Sequence, residues 1–316
     1  MESNERANKG MYIVNVPVAT VWTSPASPRE IDQPGLSNPA AIKEWYEQLG
    51  YELRLELCDS NLVQSQLLYG EEVVVTDTQG EWAHVIIPSQ PSKKDERGYP
   101  GWVPKVQLQP IDKEFWSSGK SAVVSSKKAW LRDEKGEKML ELSYLTELPV
   151  QGTEDTSVKV LTPHGVAFLS EEDVYVYPLS KGKVQEDGMT IIQIGEAFLE
   201  LPYFWGGMSA YGYDCSGFSY NMHKAAGYTI PRDADDQANS GENVPLDKLE
   251  PGDLLFFAYE EGKGKIHHVG IYYGNGRMIH SPSTGKQIEI IKLAGTFYEK
   301  ELCVARRYWI ETEGPA

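Results

Sequence analysis

The stretch YDCSGFSYNMHKAAG, residues 213–227, places one of the three cysteines of the chain at the start of a predicted helix. Four residues share one face of this helix by periodicity: Cys215, Phe218, Met222 and Ala225. Asp214 is a suitable N-cap and Gly227 a suitable C-terminal stop. The thiol of Cys215 therefore lies in the first turn, where the helix dipole favours a thiolate and we expect a lowered pKa. The residue is either a nucleophile or a small buried thiol, and the rest of the sequence has to distinguish the two.

A nucleophilic thiol needs a base and a group that orients the base, and the chain has six histidines. His223 lies on the same helix but over about 10 Å further along its axis, so it cannot reach the thiol. His267 and His268 are adjacent on a predicted strand and face opposite sides of it, so only one of them can point into a shared site. A turn at residues 274–276 predicts a hairpin that brings His280 beside this pair. The sequence therefore allows a row of nucleophile, base and orienting residue.

The segment after residue 188 predicts an α+β domain. Within TIIQIGEAFLELP, residues 190–202, four residues fall on one helical face: Ile191, Ile194, Phe198 and Leu201. Pro202 is expected to end this helix. Five strand-like segments follow the Cys215 helix: GDLLFFA, IHHVGIYYG, GRMIHS, KQIEII and CVARRYWI. Helices followed by a run of antiparallel strands are typical of an α+β fold.

The region before residue 180 is rich in short strands separated by turn residues. Residues 11–110 predict a small barrel, interrupted by a helical insertion at about 37–57. Residues 120–180 repeat the same order of hydrophobic segments and turns, which indicates an internal repeat. Both units resemble bacterial SH3-like domains. We predict three domains: 11–112, 113–180 and 188–316.

Composition excludes several classes of function. The net charge of −16 argues against nucleic acid and anionic membrane surfaces as partners. The three cysteines are far apart, without a C-x-x-C pair, so neither a disulfide framework nor a zinc site is indicated. The polar N-terminus lacks the features of a signal peptide, which suggests the cytoplasm unless an export signal has been removed. We expect no metal or cofactor, and a monomer.

The motifs YFWGG, DCSGF, IPR, LEPGDLLFF and HHVGIYYGNGRMIHSP occur in that order between residues 188 and 316. This series resembles the NlpC-type papain-like cysteine peptidases of bacterial cell-wall metabolism. The resemblance implies that Cys215 is the catalytic nucleophile and that His268, rather than His267, is the base. It implies that His280 is the third, polar catalytic residue and that Tyr203 supports the oxyanion or the thiol. The backbone N–H of Cys215 is the natural oxyanion donor.

The layout of two SH3-like units before a peptidase domain resembles the YkfC-type γ-D-glutamyl-L-diamino acid endopeptidases. These enzymes cleave murein peptides after L-Ala-γ-D-Glu, and the resemblance implies that the free amine of the L-Ala is recognised, with the first SH3-like domain closing one end of the groove. By motif position Glu71 and Tyr99 are the candidates for binding this amine, with Glu72 as an alternative to Glu71.

Three residues around the nucleophile are further candidates for binding substrate: Asp214, Ser216 and Trp205. The sequence departs from the family after IPR, where such sequences often carry Ser or Thr and this chain has Ala234. A substrate contact from that position is therefore in doubt.

The expected reaction is thiolate attack by Cys215 on the γ-glutamyl carbonyl, with His268 protonating the leaving amine and then activating water. Two other functions stay open at this point. One is a cell-wall-binding module with a weak or vestigial catalytic domain. The other is an acyltransferase or amidase of the same fold, although such enzymes commonly permute the order of Cys and His. The sequence leaves open whether the diamino acid is lysine or diaminopimelate.

Overall fold

The computed structural model describes residues 10–112, 116 and 119–310. The chain divides into two compact units. The first, called here the β unit, consists of Met1–Ser89 and Arg97–Lys181. The second, called here the C-terminal unit, consists of Gln90–Glu96 and Gly182–Ala316.

The predicted boundaries between three domains are finer than this division. Residue 113, the predicted start of the second domain, lies outside the described residues, and so do residues 311–316 at the predicted end of the third. The predicted domain boundaries therefore stay predictions.

The β unit contains two seven-stranded antiparallel sheets. The strands of the first are β1 Gly10–Val14, β2 Val18–Trp22, β3 Val63–Leu68, β4 Glu72–Gln79, β5 Trp82–Ile87, β6 Tyr99–Pro104 and β7 Leu108–Pro110. Their spatial order is β3-β2-β6-β5-β4-β1-β7. Alternate residues of β4, such as Val73 and Val75, are buried in the apolar core beneath the sheet, as a half-buried strand requires.

The second sheet has the same topology as the first. Its strands are β8 Lys120–Val124, β9 Lys128–Arg132, β10 Lys138–Ser143, β11 Glu147–Glu154, β12 Ser157–Thr162, β13 Gly165–Ser170 and β14 Val174–Pro178. Their order, β10-β9-β13-β12-β11-β8-β14, reproduces that of the first sheet strand for strand. A 3₁₀ turn precedes the last strand in both, Lys105–Gln107 in the first and Glu171–Asp173 in the second. The predicted internal repeat is confirmed.

Helices lie between β2 and β3 of the first sheet, where the sequence predicts a helical insertion. They are a 3₁₀ turn Glu30–Asp32, α1 Gln33–Leu36, α2 Ile42–Gln48 and α3 Tyr51–Asp59. Trp45 and Leu49, whose spacing of four residues is helical, are both buried. The insertion is thus several short helices rather than one.

The C-terminal unit is built on a six-stranded antiparallel sheet. Its strands are β17 Glu242–Asn243, β18 Leu254–Ala258, β19 Ile266–Gly274, β20 Arg277–His280, β21 Glu289–Lys292 and β22 Leu302–Arg307. Their order is β17-β22-β18-β19-β20-β21, so β17 and β21 are the two edges. A separate two-stranded ladder is formed by β15 Met208–Ser209 and β16 Gly212–Tyr213.

Four helices accompany this sheet: α4 Gly188–Glu196, α5 Cys215–Ala225, α6 Ala234–Ala238 and α7 Phe297–Glu301. A helical turn, Tyr259–Gly262, has two residues in the left-handed region at its centre. Helix α5 packs on α4 and on β19, which brings the start of α5 to the middle of the sheet. The strands follow the helices in the chain, as the sequence predicts for an α+β fold.

Helix α4 ends earlier than its periodicity predicts. The sequence favours a helix up to Pro202, but α4 stops at Glu196 and the chain continues in tight turns with hydrogen bonds from Ala197, Phe198 and Leu199 to carbonyls three residues earlier. Glu200 then adopts a positive φ of 69° and its N–H donates to the carbonyl of Ile288. This tertiary hydrogen bond replaces a further helical turn.

Within residues 10–112, 116 and 119–310, no helix is long and apolar enough to cross a lipid bilayer.

Candidate active site

Cys215 is the first residue of α5, as predicted. Asp214 is the N-cap, with extended backbone, and its Oδ1 accepts a hydrogen bond from the Gly217 N–H at 2.6 Å. Gly227 has a φ of +86° just past the end of the helix, the left-handed conformation that glycine adopts most readily. The local signals in the sequence therefore correctly give both ends of the helix and place the thiol in its first turn.

The two catalytic histidine candidates meet on neighbouring strands. His268 lies in β19 and His280 is the last residue of β20, and the turn between these strands has Asn275 and Gly276 at positive φ, as a tight hairpin requires. Nε2 of His268 lies 2.8 Å from Nδ1 of His280. Both side chains are buried. The predicted pairing of His268 with His280 is present in the structure.

Gly270 leaves the space in which these two rings meet. It lies two residues after His268 and therefore on the same face of β19. A Cβ atom at position 270 would lie 3.2 Å from the Cβ of His280 and 2.8 Å from the sulfur of Met278. Because Gly270 has no side chain, His280 can approach His268 diagonally across the two strands.

The contact with His280 determines which atom of His268 can act on the thiol. Because Nε2 of His268 faces His280, Nδ1 is the ring nitrogen that remains for proton exchange with Cys215. The thiol lies against β19 next to this residue, since the backbone amide of Val269 donates towards the sulfur. Cys215 of α5, His268 of β19 and His280 of β20 are thus brought together, and their roles as nucleophile, base and orienting residue stay predictions.

The electrostatics of the thiol differ from the sequence expectation. Burial, followed by the charge of Asp214, raises the pKa of Cys215 to about 12, against smaller lowering effects of the Val269 and Ser216 amides and of Arg232. The expected lowering by the helix N-terminus is wrong, because desolvation outweighs the helix dipole. The raised pKa favours the neutral thiol over the thiolate in the absence of substrate.

The two histidines are neutral as well. Burial lowers the pKa of His268 well below its usual value, with further lowering by His280, His267 and Lys286. Burial and Lys286 lower the pKa of His280 to about 3. A neutral His268 is free to accept a proton, so the site is arranged for general-base activation of a thiol rather than for a preformed thiolate–imidazolium pair.

This arrangement predicts the pH dependence of alkylation. Because the thiolate fraction of Cys215 grows tenfold per pH unit below a pKa of about 12, we expect the iodoacetamide reaction rate to rise steadily from pH 6 to pH 9. The rate is measured by mass spectrometry of the alkylated peptide, and the Cys215→Ala variant gives the background from Cys58 and Cys303. A pH-independent rate between pH 5 and pH 7 would show a preformed ion pair and contradict the prediction.

Arg232 is a functional residue that sequence reasoning did not single out, although it belongs to the quoted IPR motif. It is buried and forms a two-atom ion pair with Asp214, with Nη2 to Oδ2 at 2.7 Å and Nη1 to Oδ1 at 3.2 Å. Its Nη1 also donates to Oγ of Ser216 at 2.8 Å. The Gly206 N–H is a further donor to Asp214, at 2.9 Å. Arg232 therefore holds the two residues that flank the nucleophile.

These contacts bear on two of the predicted substrate-binding residues. The carboxylate of Asp214 and the hydroxyl of Ser216 are both occupied by Arg232, and both residues are buried. Their observed contacts position the start of α5. A substrate contact from either residue stays a prediction.

The remaining predicted site residues of the C-terminal unit lie in the segment before β15. Tyr203 is buried, and its N–H donates to the carbonyl of Lys286, while a parallel bridge joins it to Tyr213 at the end of β16. Trp205 is partly exposed two residues further on. Support of the oxyanion or the thiol by Tyr203 and binding of substrate by Trp205 stay predictions.

Glu71 and Tyr99 belong to the β unit. The carboxylate of Glu71 accepts hydrogen bonds from the Leu68 N–H at 2.9 Å and from Oγ of Ser89 at 2.5 Å. Tyr99 is buried in the core of the first sheet, with its hydroxyl 3.3 Å from Oε1 of Gln64. Binding of a substrate amine by these residues stays a prediction.

The other histidines have separate environments. His267 faces away from the His268–His280 pair, and its Nε2 lies 3.0 Å from Oε2 of Glu301 while its ring stacks on Tyr259. His223 contacts the carbonyl of Ser219 through Nδ1 within α5. The sequence argument that sets both aside as the base agrees with these contacts.

One acidic group in the described part of the chain has a spacing suitable for a metal ion: Asp233, Asp235 and Asp236. Lys93 pairs with the last two of these carboxylates and Lys94 with the first, so the charge of the group is already offset. We assign no metal to it.

The fold and the site define a class of protein: a thiol hydrolase with a nucleophile at a helix start and a histidine pair on the adjoining sheet. The profile of the NlpC/P60 family matches residues 200–307, and that of the YKFC SH3b2 domain matches residues 124–177. A γ-D-glutamyl-L-lysine dipeptidyl-peptidase of Bacillus subtilis (strain 168) is 51% identical over 304 residues, covering 95% of this chain and 100% of the relative. The chain belongs to the NlpC/P60 family.

Two further comparisons extend over nearly the whole chain. A γ-D-glutamyl-L-lysine dipeptidyl-peptidase of Bacillus cereus (strain ATCC 10987 / NRS 248) is 39% identical, covering 96% of this chain and 92% of the relative. The crystal structure of an NlpC/P60 family protein from Bacillus cereus ATCC 10987 superposes with a TM-score of 0.91 at 38% identity. That comparison covers 95% of this chain and 100% of the other. The predicted fold class, two β domains followed by an α+β peptidase domain, is confirmed.

Proposed function

We propose that the protein is a cysteine peptidase that hydrolyses the γ-D-glutamyl–L-lysine bond of murein peptides with a free N-terminal L-Ala. The observation that carries this proposal is the grouping of Cys215, His268 and His280, with Nε2 of His268 at 2.8 Å from Nδ1 of His280. The names of the two relatives that match nearly the whole chain support lysine rather than diaminopimelate as the diamino acid. A wall-binding module with a vestigial catalytic domain is disfavoured, because the catalytic set is complete.

The first half of the proposed reaction transfers the acyl group to sulfur. Nδ1 of His268 takes the proton of Cys215 as the sulfur attacks the γ-glutamyl carbonyl, and the imidazolium then gives that proton to the nitrogen of the lysine as the C–N bond breaks. The negative charge on the carbonyl oxygen develops beside the start of α5. The backbone N–H of Cys215 is the proposed donor to it, with Tyr203 as a candidate second group.

The second half releases the dipeptide. Nδ1 of the now neutral His268 removes a proton from water, the oxygen attacks the thioester, and the C–S bond breaks to regenerate the thiol. The products are lysine, or a lysine-led peptide, and L-Ala-γ-D-Glu with a free γ-carboxylate. His280 holds the imidazole of His268 in one orientation through both halves.

The substrate amine gives the sharpest test of specificity. If Glu71 and Tyr99 bind the ammonium of the N-terminal L-Ala, acetylation of this amine should lower kcat/KM for L-Ala-γ-D-Glu-L-Lys by about 100-fold or more, because the partly buried carboxylate of Glu71 loses its charged partner. Product analysis by mass spectrometry compares both peptides in the wild type and in Glu71→Gln, and Glu72→Gln tests the alternative carboxylate. Equal turnover of the two peptides would remove Glu71 and Tyr99 from the substrate role, and cleavage at any bond other than γ-D-Glu–L-Lys would contradict the proposed function.

The proposed location is the cytoplasm, which agrees with a sequence that has three widely spaced cysteines and no C-x-x-C pair. The proposed partners are small murein peptides, and the proposed state is a monomer.

A further inference from the structure

One ring nitrogen of the catalytic histidine pair is buried without a hydrogen-bond partner. Nδ1 of His280 contacts His268, but Nε2 has no partner among the described residues, although the side chain of His280 is 0% exposed. A buried polar atom left unpaired costs free energy, so a group that satisfies it at some stage of the reaction is expected. The rings of Tyr298 and His280 pack at nearly a right angle, which leaves Nε2 without a hydrogen bond.

The carboxylate of Glu289 lies at this nitrogen. Its Oε1 is 3.8 Å from Nε2 of His280. The register of β20 and β21 places Glu289 directly opposite His280, so the two Cα positions are fixed by the backbone ladder. Glu289 is on an edge strand and its side chain is 44% exposed, so it has the freedom to rotate. A small side-chain rotation would bring the oxygen within hydrogen-bond distance.

The direction of proton transfer requires a proton at this nitrogen. To accept the thiol proton at Nδ1, His268 must carry its own proton on Nε2 and donate it to Nδ1 of His280. His280 must then carry its proton on Nε2, on the side of Glu289. The opposite tautomer of His280 would either put two N–H groups against each other or force the proton of His268 onto Nδ1, where it could no longer accept the thiol proton.

The set of cysteine and two histidines also lacks a negative charge. In a nucleophile–histidine–aspartate set, the carboxylate stabilises the imidazolium that forms during reaction. Here the third member is a neutral imidazole. Lys286, which faces the same pair, disfavours a positive charge on either ring. A carboxylate behind His280 would supply the missing charge.

We propose that Glu289 is a positioning residue of the catalytic site, whose carboxylate accepts the Nε2–H of His280, fixes its tautomer and stabilises the imidazolium of His268 through it. The proposal rests on the proposed thiol hydrolysis but not on the identity of the diamino acid. The groups around the histidine pair are Glu289 and Lys286 from the segment after β20, Tyr298 from α7 and Cys215 from α5, while His267 lies on the opposite face of β19. Among these, Glu289 is the one carboxylate within 4 Å of Nε2 of His280 in the described residues.

The test compares Glu289→Gln and Glu289→Ala with a matched control. Glu242→Gln removes a glutamate from β17, the other edge of the same sheet. We expect kcat for L-Ala-γ-D-Glu-L-Lys to fall about tenfold or more in Glu289→Ala, with KM unchanged. The reason is the loss of the charge-assisted hydrogen bond from His280 to Glu289, which stabilises the imidazolium of His268 in the transition state. Glu289→Gln keeps an acceptor without the charge and should fall between the wild type and the alanine variant. Lys286→Met should raise kcat, since it removes a positive charge that disfavours the imidazolium of His268.

A second readout distinguishes positioning from stability and needs no substrate. Nitrogen-15 NMR of histidine-labelled full-length protein reports which ring nitrogen carries the proton. We expect His280 to be protonated at Nε2 in the wild type and to become a mixture of tautomers in Glu289→Ala. The proposal is overturned by an Nδ1–H tautomer in the wild type, by a kcat within twofold of wild type in Glu289→Ala, or by an equal loss in Glu242→Gln. A wild type that fails to cleave the peptide would count against the proposed function, while the tautomer measurement would still decide the role of Glu289.

Discussion

Replacing Cys215 by alanine is expected to reduce kcat/KM for L-Ala-γ-D-Glu-L-Lys by about 10⁴–10⁶-fold. The size follows from the loss of a nucleophile that acts together with its base, since removing one member of such a set costs nearly as much as removing all of it. Nothing else in the first turn of α5 can replace the sulfur: the hydroxyl of Ser216 is held by Arg232 and Asp214. The measurement is release of L-Ala-γ-D-Glu under single-turnover conditions.

Cys303→Ala is the matched control for this variant. Cys303 is also an unpaired, partly buried thiol of the C-terminal unit, and its Sγ contacts the carbonyl of Phe256 at 3.3 Å. We expect activity close to that of the wild type. The alanine at position 215 removes a desolvated polar group, so the unfolding temperature of Cys215→Ala should not fall. If Cys215→Ala keeps more than about 1% of wild-type activity, covalent catalysis by this residue is excluded.

The start of α5 could act on the resting thiol of Cys215 or on the oxyanion of the reaction, and the raised pKa of the thiol favours the second. In the proposed reaction, the backbone at the N-terminus of α5 acts on the oxyanion, which forms only in the transition state, whereas burial and the charge of Asp214 raise the pKa of the resting thiol. His268 is kept neutral by the same burial. Charge therefore develops on both partners only as substrate reacts. This places the stabilising groups where they act on the transition state more than on the free enzyme.

Much of the site could be predicted from the sequence because its signals are local. Asp214 before the helix, Gly227 after it and the turn at 274–276 each specify backbone geometry within a few residues. The repeated order of strands and turns likewise specifies the same topology twice. Residue types alone left His267 and His268 equivalent, and the family resemblance was needed to choose between them.

The features that the sequence did not predict depend on tertiary contacts. The raised pKa of Cys215 follows from burial, which helix position does not reveal. The early end of α4 follows from the hydrogen bond between Glu200 and Ile288. Arg232 pairs with Asp214, which lies 18 residues earlier in the chain. From the sequence, a charged residue after a proline is expected on the surface, whereas Arg232 is buried in the structure.

Arg232→Met is expected to destabilise the C-terminal unit by roughly 3–5 kcal/mol and to abolish activity under conditions where the protein still folds. Removing one partner of a buried ion pair leaves the other charge without compensation. Here that charge is Asp214, which caps α5, and Ser216 loses its donor as well. The thiol pKa should rise further, because the charge of Arg232 lowers it. The measurement is hydrogen–deuterium exchange of the peptide 213–227 together with the urea midpoint of the C-terminal unit.

The double variant Asp214→Asn/Arg232→Met tests this cause. Asparagine can still cap the helix through its side-chain oxygen but carries no charge, so the double variant should be more stable than Arg232→Met by about 1 kcal/mol or more. Arg277→Met is the matched control, since Arg277 lies over the ring of Tyr273 and is expected to lose about 1 kcal/mol or less. If the double variant is as unstable as the single one, the loss comes from packing of the Arg232 side chain rather than from the unpaired carboxylate. If Arg232→Met is as stable as Arg277→Met, the ion pair does not hold the start of α5, and the nucleophile is positioned by the helix cap alone.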